Sequence, residues 1–106
     1  MPNETIRWTS SKSTADEEID RITELFATAK DEFEIAYEET EKMSVYAQDD
    51  RDAAREELNG VLEAYKQVVE GDDLELADEV KRRIGQRIRE LEQGVEAMEE
   101  LAHNQD

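Results

Sequence analysis

The chain has 106 residues, a length typical of one domain, and its 30 acidic and 13 basic residues give a formal net charge of −17. It contains no cysteine, which excludes disulfides, thiolate metal sites and cysteine nucleophiles. It also lacks an apolar run of the roughly 20 residues that cross a bilayer and the apolar segment of a secretory signal, so a cytoplasmic protein is expected.

The acidic residues are spread along the whole helical body rather than collected in a tail. A chain with this charge repels nucleic acid and anionic membranes at long range, so we expect neither a basic nucleic-acid patch nor membrane binding. Three interpretations of the acidity stay open: a solvated surface, adaptation to high salt, and attraction to a basic partner.

The N-terminal segment differs from the rest of the chain, because it contains the one proline, Pro2, the one tryptophan, Trp8, and a run of small polar residues. No helical period is visible there, so residues 1–13 are predicted to form a flexible or extended arm. Trp8 either packs on the end of the helical domain or serves as an anchor for a partner.

A first helix is predicted over about 14–46, because Thr14 and Glu17 match a capping box at its start. Ile35 falls on the face opposite the predicted apolar stripe. The stripe covers an arc of about 80° on a helical wheel and is formed by Ile19, Ile22, Phe26, Ala29, Phe33, Tyr37 and Thr40.

The chain is ambiguous between Tyr46 and Asp52, where Asp49 or Asp50 could cap a second helix but neither glycine nor proline enforces a break. A seven-residue apolar series even stays in phase across this stretch, so one long helix is the alternative. We favour a break, because the apolar stripe nearly vanishes between Met43 and Leu58.

A second helix is predicted over about 50–70 and a third over 73–102, followed by a frayed tail at 103–106. Gly71 is suited to a left-handed residue that ends the second helix, and Asp72 or Asp73 to the cap of the third. A joint this short indicates an antiparallel hairpin.

The apolar stripe of the third helix covers an arc of only about 80°, which is typical of the seam of a bundle or coiled coil. Gly85 and Gly94 lie beside this stripe, where close helix approach would explain them. The three stripes together predict one all-α domain over 14–102, an antiparallel three-helix bundle. The alternative is a long bent helix paired with an antiparallel hairpin helix, with dimerisation completing the core.

Groups suited to catalysis or metal binding are sparse. His103 is the one histidine, and with Glu100 it forms a single Glu-x-x-His pair, whereas carboxylate-bridged bundles use two such pairs. Phosphate-binding glycine loops and nucleophile motifs are absent from the sequence. We therefore predict a protein that is not an enzyme and has no cofactor, no catalytic residue and no metal ligand.

One arginine-rich segment interrupts the acidic chain. Its residues Lys81, Arg83 and Arg87 flank the apolar stripe, where they are expected to pair with acids of neighbouring helices. Arg82 and Arg89 point away from the stripe and could instead bind a phosphate or an acidic partner.

The sequence thus favours a non-enzymatic helical protein-interaction module, such as a small adaptor, regulator or chaperone-like subunit. The alternatives are an acidic binder of basic proteins or nucleic-acid mimic, and a metal-binding helical bundle. A protein partner or self-association as a homodimer is expected. The candidate partner-binding residues are Trp8, Ile35, Tyr46, Arg82 and Arg89.

Overall fold

A computed structural model describes the backbone of residues 2–105 and the side chains of residues 14–105. Three helices account for this part of the chain, and it contains no strand. Their bounds are Pro2–Lys42 for α1, Ala47–Val69 for α2 and Leu74–Gln105 for α3. The all-α prediction is confirmed.

Contacts between side chains fix the directions of the helices. Near the start of the bundle, Arg83 of α3 donates to Asp16 of α1 at 3.1 Å. At the other end, Gln105 of α3 donates to the Thr40 carbonyl of α1 at 3.1 Å. Helices α1 and α3 therefore run parallel and α2 runs antiparallel to both, which is the predicted three-helix bundle. The alternative of a continuous first helix is wrong, because the chain reverses between Lys42 and Ala47.

The core is built from one face of each helix, and most of it follows the predicted stripes. The buried face of α1 is rotated away from Phe26, which is half-buried, towards Ile22, Ala29 and Ala36. The reason is that α1 packs into two neighbours at once, which turns its small residues inward. The buried apolar side chains of α2 and α3 include Ala54, Leu58, Val61, Val80, Ile84, Ile88, Leu91, Val95 and Met98.

Helix α1 starts earlier than the capping box at Thr14 indicated. Its backbone is helical from Pro2, a residue that suits the first helical position, and no glycine or proline between 3 and 42 interrupts it. The side chains of residues 1–13 lie outside the described residues, and so does the predicted role of Trp8.

The hairpin between α2 and α3 is present as predicted. The carboxylate of Asp73 accepts a hydrogen bond from the Leu76 backbone N–H at 3.1 Å, so Asp73 is the residue that caps α3. Gly71 is not left-handed, however, since no glycine of the described chain has positive φ. A Cβ at Gly71 would lie 3.1 Å from the Gln67 carbonyl oxygen, so a close backbone approach is what requires glycine here.

Helix α3 continues through the predicted tail to Gln105. The side chain of Gln105 is bound to the Thr40 carbonyl, and the buried Thr40 hydroxyl accepts a hydrogen bond from Arg51 at 3.0 Å. These bonds join the last turns of α1 and α3 to the first turns of α2.

Candidate functional site

The turn between α1 and α2, residues Met43–Tyr46, ends α1 in an unusual way. Met43 has φ of 55°, and it is the one residue other than glycine with positive φ in the described chain. Its N–H donates to the Thr40 carbonyl at 3.1 Å, and the Ser44 N–H donates to the Glu39 carbonyl at 3.1 Å. This pair of bonds is a Schellman motif, in which glycine usually takes the position of Met43.

Side-chain hydrogen bonds hold this turn in place. The Ser44 hydroxyl donates to the Glu39 carboxylate at 2.6 Å and accepts from the Tyr46 backbone N–H at 3.2 Å. The Ala47 N–H also donates to the Ser44 carbonyl at 3.2 Å. Ser44 is thus the residue through which the end of α1 and the start of α2 are connected.

The same turn exposes three large apolar side chains. Val45 is 87% exposed, Tyr46 is 68% exposed and Met43 is 65% exposed. We call these three residues the apolar turn. Tyr46 was a candidate from the sequence, whereas Met43 and Val45 were missed, because their exposure depends on the end of α1 at Lys42.

Carboxylates flank the apolar turn along the chain. Glu38 and Glu41 precede it on α1, and Asp49 and Asp50 lie in the first turn of α2. Of the two nearby cations, Lys42 is paired with Glu38 at 3.1 Å, and this hydrogen bond raises the pKa of Lys42. The other, Arg51, donates to the Thr40 hydroxyl and to Gln48. The turn therefore combines an apolar tip with an acidic border.

The other sequence candidate on α1, Ile35, is 51% exposed and stands alone. Its neighbours three and four residues away are Asp31, Glu32, Glu38 and Glu39. The side chain therefore has no apolar neighbour on its own helix surface and lies two turns before the apolar turn.

The structure places Arg82 and Arg89 on the exposed surface of α3, two helical turns apart. Arg82 donates to Asp78 at 3.3 Å, and Arg89 donates to Gln86 at 3.0 Å. Each guanidinium is engaged within α3, and a single small anion would not span the roughly 10 Å along the axis between them.

The remaining cations of the arginine-rich segment behave differently from one another. Arg83 pairs with Asp16 of α1 and with Glu79 at 3.0 Å, which confirms its predicted role and raises the pKa of Arg83. Arg87 was expected to pair with an acid of a neighbouring helix, but its guanidinium lies over the Phe26 ring, 5.8 Å from the centroid. The aromatic face at this position attracts the cation in place of a carboxylate.

An open groove runs between α1 and α3 on this side of the bundle. Its floor and walls are formed by Phe26, Phe33 and Leu91, and its edges by Lys30, Arg87 and Glu90. We call it the α1–α3 groove. It was not predicted, because it depends on the parallel register of α1 and α3, which brings Phe33 against Gly94.

His103 lies at the opposite end of α3 from the hairpin, in an open hollow that Gln48, Arg51, Asp52 and Glu99 also line. Glu99 is bound on the far side by Arg55, which donates from Nε at 2.9 Å and from a terminal nitrogen as well. Among the residues that the structure describes, no three histidine or carboxylate side chains are grouped closely enough to hold a metal ion.

Comparison with known proteins identifies a family. No curated protein and no solved structure is significantly similar to the chain. In the described part of the chain, none of the helices has the length and apolar character needed to span a membrane. The family profile of the embryogenesis-like protein helical domain matches residues 16–100, which cover all of α2 and most of α1 and α3. On this match, the chain belongs to the embryogenesis-like protein helical domain family.

Proposed function

We propose that this protein is a non-enzymatic interaction module that binds a basic protein partner through the apolar turn. The observation that carries the proposal is Met43, a residue other than glycine in the left-handed region whose side chain is exposed. This proposal combines the adaptor function and the binding of basic proteins that the sequence favoured.

The backbone argument concerns stability. A left-handed conformation costs a residue with a Cβ about 1–2 kcal/mol relative to the right-handed region, and glycine avoids this cost. Because the Met43 side chain is mostly exposed, it returns little of that free energy by burial. Glycine would suit the fold better, so the methionine side chain fits a role outside the fold.

The neighbouring side chains agree with an interaction role. Val45 and Tyr46 project from a turn that Ser44 holds by hydrogen bonds, so a partner would not have to order the backbone of this turn on binding. Methionine and tyrosine are also side chains that protein interfaces favour, since they provide large apolar contact area.

The acidic border indicates the chemistry of the partner. Glu38, Glu41, Asp49 and Asp50 would oppose an acidic surface, a nucleic acid or an anionic membrane. They would favour a protein surface in which an apolar pocket is edged by lysine or arginine. Binding to such a surface should weaken as salt rises, because the contribution of the exposed charges is screened.

A photo-crosslinking experiment tests this function. We expect p-benzoylphenylalanine in place of Val45 to label one stoichiometric protein in extracts of the producing cells. The same group in place of Leu74, an apolar residue that is also highly exposed (78%) but lies at the opposite end of the bundle, should not label it. Equal labelling from both positions, or none from position 45, would contradict the proposal.

The purified partner then allows a quantitative test. Tyr46→Ser should weaken its binding by about tenfold or more, as expected for an aromatic anchor, whereas Leu74→Ser should leave it unchanged. Sedimentation of the protein alone tests the other expectation from the sequence, self-association. A homodimer that Tyr46→Ser dissociates would assign the apolar turn to a second copy instead.

A further inference from the structure

A second surface of the molecule, the α1–α3 groove, has a different chemical character from the apolar turn. Phe26 and Phe33 are half-buried along its α1 side, and the Phe33 ring continues to Tyr37, with the ring centroids 5.9 Å apart. Positions 26 to 37 extend about 17 Å along α1. The aromatic surface is therefore a strip that follows the helix axis.

The Phe33 ring is held in this strip by the neighbouring helix. A Cβ at Gly94 would stand 3.0 Å from the tip of the Phe33 ring, so the ring occupies the space that a side chain of α3 would need. The buried Leu91 completes the apolar floor one turn away. The groove is thus preformed rather than created by a loop.

Positively charged side chains edge the groove, although the chain as a whole is strongly negative. Lys30 and Arg87 edge it, and neither has a carboxylate within ion-pair distance among residues 14–105. Arg83, one turn before Arg87 on α3, pairs with two carboxylates. Two cations without such partners therefore flank the aromatic strip, where Glu90 lines the groove and Glu34 lines the hollow beside Phe33 and Tyr37.

We infer that the α1–α3 groove binds an acidic amphipathic helix of a partner protein, which packs as a fourth helix against α1 and α3. Two parallel helices with an apolar strip between them offer the seat that an added helix occupies in a four-helix bundle. Apolar residues of that helix would contact Phe26, Phe33 and Leu91, and carboxylates at its edges would pair with Lys30 and Arg87.

Salt distinguishes this site from the proposed function. The net charge of −17 repels an acidic helix at long range, and at about 0.15 M salt this repulsion is screened beyond about 8 Å. Contacts within the groove are shorter than this distance and are screened less. Binding at the groove should therefore hold or strengthen between low and physiological salt, whereas binding at the apolar turn should weaken.

The probe is a synthetic peptide of about 18 residues, with leucine along one face, glutamate at the edges of that face and alanine elsewhere. Its matched counterpart carries glutamine in place of every glutamate. At about 0.15 M salt the glutamate peptide should bind the full chain with the higher affinity of the two. Equal affinity, or no binding of the glutamate peptide at about 1 mM, would overturn the inference.

Charge-reversal variants locate the site. Lys30→Glu together with Arg87→Glu should lower the affinity for the glutamate peptide by about tenfold or more, since two attractive pairs become repulsive. Lys66→Glu makes the same type of change at an exposed lysine of α2 and should alter the affinity by less than about twofold. A similar loss with Lys66→Glu would mean that net charge alone is responsible and would overturn the inference.

Two further measurements distinguish a loss of binding at the groove from a loss of folding and from binding at the apolar turn. Lys30→Glu alone repeats the test without disturbing the Arg87–Phe26 contact, and its helical circular dichroism should match that of the parent. Tyr46→Ser should leave the peptide affinity unchanged, so each surface can fail independently of the other. A dimer that Lys30→Glu dissociates would assign the groove to a second copy and overturn the inference.

Discussion

The hydroxyl of Tyr65 on α2 fills the space beside Gly85 on α3. A Cβ on Gly85 would stand 2.7 Å from this oxygen, closer than carbon and oxygen atoms can approach without movement. Gly85 is buried in the interior of α3, where alanine would otherwise favour the helix by about 1 kcal/mol. The two residues therefore fit together at the interface between α2 and α3.

We expect Gly85→Ala to lower the free energy of unfolding by about 1–2 kcal/mol, because the displaced Tyr65 ring strains the interface. Gly60→Ala is the matched control, since nothing lies within 4 Å of a Cβ there. That variant should raise the free energy of unfolding by about 0.5–1 kcal/mol. Urea unfolding measures both.

Removing the hydroxyl should relieve the contact. In Tyr65→Phe with Gly85→Ala, the nearest ring carbon would lie 3.7 Å from the new Cβ, an ordinary contact distance. We expect the double variant to be more stable than Gly85→Ala alone. If Tyr65→Phe lowers the stability of Gly85→Ala further, the explanation of Gly85 by close approach is wrong.

The ion pair between Arg55 and Glu99 joins α2 to α3 through two hydrogen bonds, and these raise the pKa of Arg55. Both side chains are about one third exposed, so a double-mutant cycle with alanine should give a coupling of about 0.5–1 kcal/mol after screening. The exposed pair Arg82–Asp78 within α3 should give less than about 0.5 kcal/mol. Equal couplings in the two cycles would contradict the assignment of Arg55–Glu99 as the stronger link.

The cap of α3 gives a third prediction. Asp73→Ala removes the acceptor for the Leu76 N–H and should cost about 1 kcal/mol in thermal unfolding. Asp73→Asn retains an acceptor oxygen and should recover most of this loss. Asp72→Ala changes the neighbouring exposed residue and should alter stability by less than about 0.5 kcal/mol. A larger effect at Asp72 would place the cap there instead.

Stability and binding should move in opposite directions at Met43. Met43→Gly relieves the left-handed backbone and should raise the free energy of unfolding by about 0.5–1 kcal/mol, less than the full cost because glycine also gains freedom in the unfolded chain. The same variant should lower the affinity of the apolar turn for its partner. A loss of stability would contradict the interpretation of Met43 as strained, whatever happens to binding.

The parts of the fold that local chemistry determines could be predicted from the sequence. In the hairpin, Gly71 allows a close backbone approach and Asp73 caps α3. Both signals lie within three positions of the sequence. The turn after Lys42 was misplaced by a few residues because it contains no glycine or proline. A methionine in the left-handed region has no sequence signal, because glycine is the residue that usually takes this position.

The candidate surfaces were predictable only in part, for the same reason. Tyr46 could be identified because it lies away from the first apolar stripe, but the exposure of Val45 depends on where α1 ends. Lys30 and Phe33 are distant in sequence from Arg87 and Leu91. They line one groove only because α1 and α3 pack in parallel register, and the periodicity of a single helix gives no information about that register.

The turn between Lys42 and Ala47 contains neither glycine nor proline, so its residues are also compatible with a continuous helix. The seven-residue series from Ile19 to Val68 keeps one phase on both sides of the turn, so a straightened turn would leave a continuous helix with this series along one side. Two copies could then exchange their α2–α3 hairpins while keeping every interface except the turn. We expect a domain-swapped dimer to accumulate at high protein concentration and Met43→Gly to suppress it, as size-exclusion chromatography would measure.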